Sequence, residues 1–189
     1  MENVFGEESS AWDLLEWSDL PAECPYRETI RDYLTSRLIP FVWEHGTSNL
    51  IAELPATWDA YLAQLPSTRR TRARKIIREF EAIGNIEFVT LAPEEPLEPM
   101  WQELKTLHNL HWADEGARGC FEPGRFADFH DDVAAEAHRA GRLLLSVLRV
   151  DGHAVAACYC LKQGDTVYEY QRGHDPAWLE RRPGHALQF

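Results

Sequence analysis

The chain has no apolar run approaching the roughly 18 to 20 residues that cross a bilayer as a helix. Its opening, MENVFGEESS, lacks the basic and apolar regions of a secretion signal. Neither a membrane-spanning helix nor signal-directed export is indicated, and the cytoplasm is the expected location. Basic residues are scarce, 19 Lys and Arg against 31 Asp and Glu, and the resulting net charge of −12 argues against a general nucleic-acid binder, which must neutralise phosphates. No Cys-x-x-Cys pair occurs among the four cysteines at 24, 120, 158 and 160, and His153 adds no zinc-site spacing. Cys158 and Cys160 share one face of a strand-like run, spaced so that neither reaches the other, and all four thiols read as reduced packing groups. No Gly/Ser-rich linker divides the chain.

What is present is an ordinary globular composition, 44% hydrophobic, with one local inversion of charge. RRTRARKIIR (69–78) carries six of the basic residues; it reads either as a solvated helix face or as a surface that meets an anion. Around it the patterning predicts elements in order. A short strand is expected over 12–20 and a helix over 24–38, with Tyr26, Ile30, Tyr33, Leu34 and Leu38 on one stripe. Strands are expected at 39–44 and 48–54. Residues 55–84 give two helices broken at Pro66, the second capped by Ser67 or Thr68. A strand follows at 85–91. The next helix, 96–116, sets Leu97, Trp101, Leu104 and His108 on one side; another, 124–141, sets Phe126, Phe129, Val133 and Ala137 in register. Three strands at 142–150, 153–162 and 166–173 are joined by tight turns at Asp151-Gly152 and Gln163-Gly164-Asp165. A final helix opens at Pro183.

The last of these junctions, ERRPGHALQF, carries the chemistry. Pro183 suits a helix start, Gly184 admits close approach of a ligand, and such a start offers amides and positive dipole to a diphosphate. Arg181 and Arg182 add cations. At 108–115, His108, His111 and Glu115 have helical spacing that could gather a metal, but two of these positions continue the apolar stripe and no further histidine joins them, so packing and capping is the reading and no metal is expected.

The element order from 85, with Arg181-x-x-Gly184-x-Ala186 after the fourth strand, resembles the GNAT acyltransferase fold and its Arg/Gln-x-x-Gly-x-Gly/Ala loop. It is most similar to the Acetyltransf_6 or CelD-like branch, related to the Fem-type aminoacyltransferases. LPATWDAYLAQLPSTRRTRARKIIREFE, LHNLHWADEGARGCFEPGRFADFH, GRLLLSVLRVDGHAVAACYCL and YEYQRGHDPAWLERRPGHAL carry the likeness, over about 54–189. Arg182 departs from it where a small residue is commoner, and Ala186 replaces the last glycine. The fold class implied is α/β (α+β), a mixed, mostly antiparallel sheet flanked by helices. The donor implied is acetyl-CoA or another acyl-CoA, with Tyr170, Gln171, Arg172 and Gly173 along the pantetheine. Arg181, Arg182, Gly184, His185 and Ala186 would then lie at the diphosphate. A small-molecule amine or hydroxyl would attack the thioester, with His174 as the base and Asp175 beside it; Glu115 and Arg118 would line the acceptor side.

The same resemblance expects more chain after the last helix. It makes 1–54 the rear of a preceding GNAT-like repeat, 55–84 a helical connector, and 85–189 the front part of a second domain, so that this polypeptide alone would be inactive. Two other functions stay open: a Fem-like transferase that uses aminoacyl-tRNA, its RNA met by the 69–78 helix, and a non-catalytic GNAT module in polysaccharide or envelope assembly.

Overall fold

A computed structural model describes residues 13–17, 20–21, 23–46 and 50–189. The chain divides into two compact units, at 1–54 and 55–189. In the first, α1 (Arg27–Ser36) buries Leu34. Leu38, expected on its stripe, lies outside the helix with φ 54° and is 91% exposed. The strands expected over 12–20, 39–44 and 48–54 are not formed among the described residues; positions 12, 18, 19, 48 and 49 lie outside them. Leu50, Ile51 and Leu54 are exposed, and apolar sequence without a neighbouring ladder does not make a strand.

The second unit opens with α2 (Trp58–Gln64) and α3 (Ser67–Glu81), in the stretch expected as a connector. Thr57, not foreseen as a cap, accepts a hydrogen bond from the Ala60 amide at 3.2 Å. Ser67 is instead the first residue of α3, whose N-cap position is Pro66 and which has no side-chain cap. Then come β1 (Ile86–Thr90), α4 (Leu97–Asp114), α5 (Arg125–Arg139), β2 (Leu143–Val150), β3 (His153–Gln163) and β4 (Thr166–His174). A 3-10 turn (Pro176–Arg181) that the patterning did not suggest leads into α6 (Pro183–Gln188). The sheet is antiparallel in the order β1-β2-β3-β4. Asp151 and Gly152 both take positive φ between β2 and β3, as a two-residue I′ hairpin requires.

Strand alternation sorts the core into two layers. Leu145, Val147, Ala157 and Tyr159 face Met100, Trp101, Leu104 and Leu107 of α4. Leu148, Val150, Val155 and Ala156 pack with Ile76 and Phe80 of α3 and Ala186 of α6. Arg149 clamps β2 to α4 through two bonds to Glu103, at 3.1 and 2.7 Å. In α5 the buried face is Ala127, His130, Ala134 and Ala137; Ala137 is buried as expected, and the other three stand one residue on from the expected Phe126, Phe129 and Val133. Phe126 and Phe129 are 41% and 60% exposed. Small alanines let α5 approach the sheet closely, and the rings edge that contact, Phe126 tilted and Phe129 edge-on against His130.

Candidate active site

The site is assembled where β4 ends and the chain turns into α6. Pairing between β3 and β4 steps from Tyr159 opposite Gln171 to Cys160 opposite Glu169. β4 therefore accommodates one extra residue, Tyr170, as a β-bulge, the device that bends a strand and re-aims a side chain. The Tyr170 phenol lies 3.1 Å from Nε2 of His130 and its ring stacks on that imidazole at 4.7 Å. His130 is buried, and burial lowers its pKa, opposed by the nearby Asp131 carboxylate. Sequence spacing gave no hint of this pair, because the bulge sets which β4 side chain meets α5.

Below the bulge, β4 is fastened to α4. Gly173 lies so close to that helix that an added Cβ would stand 2.2 Å from the His108 amide nitrogen and 2.5 Å from the Leu107 carbonyl carbon. His108 Nδ1 donates to the Arg172 carbonyl at 2.9 Å, and Nε2 accepts from the Cys120 amide at 3.3 Å, with the Cys120 thiol at 3.2 Å. This neutral imidazole thus pins helix, strand and the loop after α4 together. Desolvation lowers its pKa most, against the bond to Arg172, with His111 adding to the lowering. The Arg172 carbonyl and Gly173, expected along the donor, are accordingly engaged with α4. Gln171 is half-buried beside Tyr159.

His174, the expected base, ends the strand half-buried, its ring 4.4 Å from that of His111. Desolvation first, then the His111 and Arg172 charges, lower its pKa; Asp175 and Asp114 pull the other way. It is therefore neutral at pH 7, the form that accepts a proton. The Asp175 carboxylate caps the 3-10 turn, accepting from the Ala177 amide at 2.9 Å. Glu115 is the C-cap of α4, and exposed Arg118 pairs with Glu122 at 3.8 Å. Both lie on the loop that His108 anchors through Cys120. Among the described residues no group of three or more His, Cys, Asp or Glu side chains could hold a metal.

On the other side of the sheet lies the loop into α6. Arg181 stacks over Trp178 at 5.7 Å. Arg182 is left-handed, φ 58° and ψ 55°, which turns the chain into the helix. The His185 and Ala186 amides both bond to the Arg182 carbonyl, at 3.0 and 3.1 Å, whereas the Gly184 amide precedes the first intrahelical bond. A Cβ on Gly184 would meet nothing within 4 Å, so the space over it is open. Ala186 is buried against the sheet, which explains a small residue there. Partial burial, then the positive charges of Arg172, Arg182 and Arg72, push His185 below its ordinary pKa. Charges from three arginines, on β4, the loop and α3, thus act on His185 in the first turn of this helix. Arg72 belongs to the basic run, and its place here was not legible from sequence.

An antiparallel four-stranded sheet flanked by helices, bulged in β4 and followed by this loop, is the architecture of a GNAT-type acyltransferase. Residues 67–189 match the family model for an acetyltransferase (GNAT) domain, and the chain belongs to that family, whose general activity is transfer of an acyl group to nitrogen. No match is found among curated proteins. No helix of the described residues is long and apolar enough to cross a membrane.

Proposed function

We propose that the chain takes acetyl-CoA or another acyl-CoA as donor and transfers the acyl group to a small amine or hydroxyl acceptor. The observation that carries this is the open space over Gly184 at a helix start, with the positive charges of Arg172, Arg182 and Arg72 acting on the neighbouring His185, in a chain whose net charge is −12. Such a concentration of positive charge within an acidic protein suits a diphosphate and disfavours a neutral ligand. Charge-assisted bonds from guanidiniums, joined by the Gly184 amide, would hold the phosphates.

From that anchor the pantetheine arm would run along β4, the outer strand of the sheet, and bring the thioester to the bulge at Tyr170. Held there beside an acceptor, the carbonyl is attacked directly, and positioning supplies much of the rate gain. His174, neutral because it is desolvated, takes the proton from the attacking nitrogen or oxygen, directly or through water; the thiolate of CoA departs. Asp175 and Asp114 stabilise the imidazolium that forms. The α4 loop bearing Glu115 and Arg118 borders the acceptor side.

Calorimetry with acetyl-CoA tests the donor assignment. Saturable binding is expected, weakened about tenfold or more by Arg182→Ala or Arg72→Ala, since a charge-assisted bond is worth about 1.5–3 kcal/mol. Desulfo-CoA should bind comparably and adenosine far more weakly. If acetyl-CoA shows no saturable binding to a folded chain, the donor assignment is wrong.

A further inference from the structure

β3 carries two thiols that the acyl-transfer site does not use. Cys158 and Cys160 flank the inward-facing Tyr159, and the two-residue period of a strand turns both to the opposite face. Their Sγ atoms lie 3.5 Å apart, in contact, where spacing alone suggested that they could not meet. Cys158 is partly exposed and Cys160 buried. In the sheet rows, Cys158 stands between Ser146 and Arg172, and Cys160 between Leu144 and Glu169. Because Tyr170 bulges out between them, Glu169 and Arg172 fall on one face and pair at 3.5 Å. Leu144 is 37% exposed, which leaves an approach to the sulfurs from that side. The hydrogen bond between them pushes the Cys158 thiol up and holds that of Cys160 down.

Two geometries of closure compete. A disulfide requires Cα atoms no more than about 6.8 Å apart and sulfurs at about 2.05 Å, whereas two strand steps already separate the Cα atoms by about 6.7 Å. Direct oxidation is therefore strained. Bridging by a soft centre is not. With metal–sulfur bonds of about 2.3 Å, a linear bridge would need sulfurs about 4.6 Å apart, while a right-angled one needs about 3.3 Å. The observed 3.5 Å fits the bent, pyramidal case.

We propose that Cys158 and Cys160 form a bidentate dithiol site on the face of β3 opposite Tyr159 that captures a trivalent organoarsenic centre. In the reaction of an arsine oxide with the pair, two As–S bonds form. The two S–H bonds and the arsenic–oxygen bond break, and the oxygen leaves as water with both protons. Arsenic stays trivalent and no oxidant is consumed. Cys158, partly exposed, meets the reagent first, and Cys160 closes the chelate. Among the described residues this is the one sulfur–sulfur contact, so Cys24 and Cys120 offer single thiols, whose adducts excess glutathione displaces.

The test uses the full chain, phenylarsine oxide as probe and glutathione in excess, read by intact mass and by thermal melting. The expected result is one phenylarsenic adduct per chain with loss of two hydrogens. It should resist glutathione, be stripped by 2,3-dimercaptopropanol, and raise the melting temperature, because the ligand binds the native arrangement. Cys158→Ser and Cys160→Ser should each lose the adduct, and Cys24→Ser/Cys120→Ser should keep it. Should Cys160→Ser fail to fold, Cys158→Ser and the sign of the wild-type melting shift decide. No glutathione-resistant adduct on wild type, retention by Cys158→Ser, or a lowered melting temperature overturns the proposal. None of these readouts depends on acyl transfer.

Discussion

Replacing Gly173 with alanine perturbs one contact whose geometry is fully specified. The new methyl carbon would lie 2.2 Å from the His108 nitrogen, 2.5 Å from the Leu107 carbonyl carbon and 2.6 Å from the His108 Cα. All three atoms belong to the backbone of α4, an 18-residue helix whose same sheet-facing side carries Trp101 and Leu104 into the core, so no flexible side chain can swing aside. Relief needs β4 and α4 to separate by about 1 Å, a shift that close-packed interiors resist. Overpacking of this kind costs about 1–3 kcal/mol. The same separation stretches the His108–Arg172 hydrogen bond of 2.9 Å, worth a further 0.5–1.5 kcal/mol or about that. The expected loss is about 1.5–4.5 kcal/mol, a large share of the roughly 5–15 kcal/mol that holds a domain together, and on the order of 10 °C in melting temperature. Urea denaturation of Gly173→Ala beside Gly184→Ala provides the measurement, since a Cβ at Gly184 meets nothing within 4 Å and alanine favours a helix by up to about 1 kcal/mol. A loss below about 1 kcal/mol at Gly173, or equal losses at the two sites, would refute the reasoning.

Arg182→Gly should separate stability from binding. Releasing the left-handed arginine should stabilise the fold by up to about 1 kcal/mol, while the loss of its charge weakens acetyl-CoA binding; melting and calorimetry should move in opposite directions. Acid sensitivity follows from the buried imidazoles. His108 has a folded pKa below its unfolded value of about 6.5, so its contribution is complete above that pH and is lost as pH falls through the window below it. The stability–pH profile of His108→Gln should be flatter between about pH 6.5 and its lower end than that of wild type; an unchanged slope would count against a neutral pin. Asp131 has the same sense at lower pH. Burial alone would raise its carboxyl, but bonds from Trp101 at 2.6 Å and Lys105 at 2.9 Å outweigh that and hold it below the usual carboxylate range. Its stabilisation is present above about pH 3.9 and is lost as pH falls further. Asp131→Asn should cost no more than about 1 kcal/mol at pH 7, because the carboxylate is 45% exposed and solvent screens it, and should flatten only that most acidic limb.

Local signals made the element order from β1 onward legible. Alternation in β2 and β3, the Asp151-Gly152 turn and the Trp101–Leu104–His108 stripe each depend on neighbours a few residues away, and each is found where the pattern put it. What was hidden depends on partners distant in sequence. Apolar runs at 39–44 and 48–54 look like strands, yet a strand exists only by pairing. The α5 stripe was drawn through Phe126 and Phe129 because large rings dominate any apolar count; close packing preferred the alanines one position on. Gly173 was expected along the donor, and the space beside it is taken by the backbone of α4. The contact between Cys158 and Cys160 was lost by judging reach from Cα spacing rather than from where two side chains on one face converge. In the loop, the Arg181-x-x-Gly184-x-Ala186 pattern pointed to the place, but the arrival of Arg72 from α3 depended on how two helices pack.

The step in pairing at Tyr170 has an outcome for the chain as a string of residues. Excising Tyr170 alone would leave Glu169 opposite Cys160 and Gln171 opposite Tyr159, an uninterrupted ladder with every remaining side chain on its present face. Most single deletions inside a strand invert everything on one side of the cut; here the sheet is already complete without the residue removed. Tyr170 is thus an insertion that pairing does not demand, and its retention has to be explained by the surface it shapes.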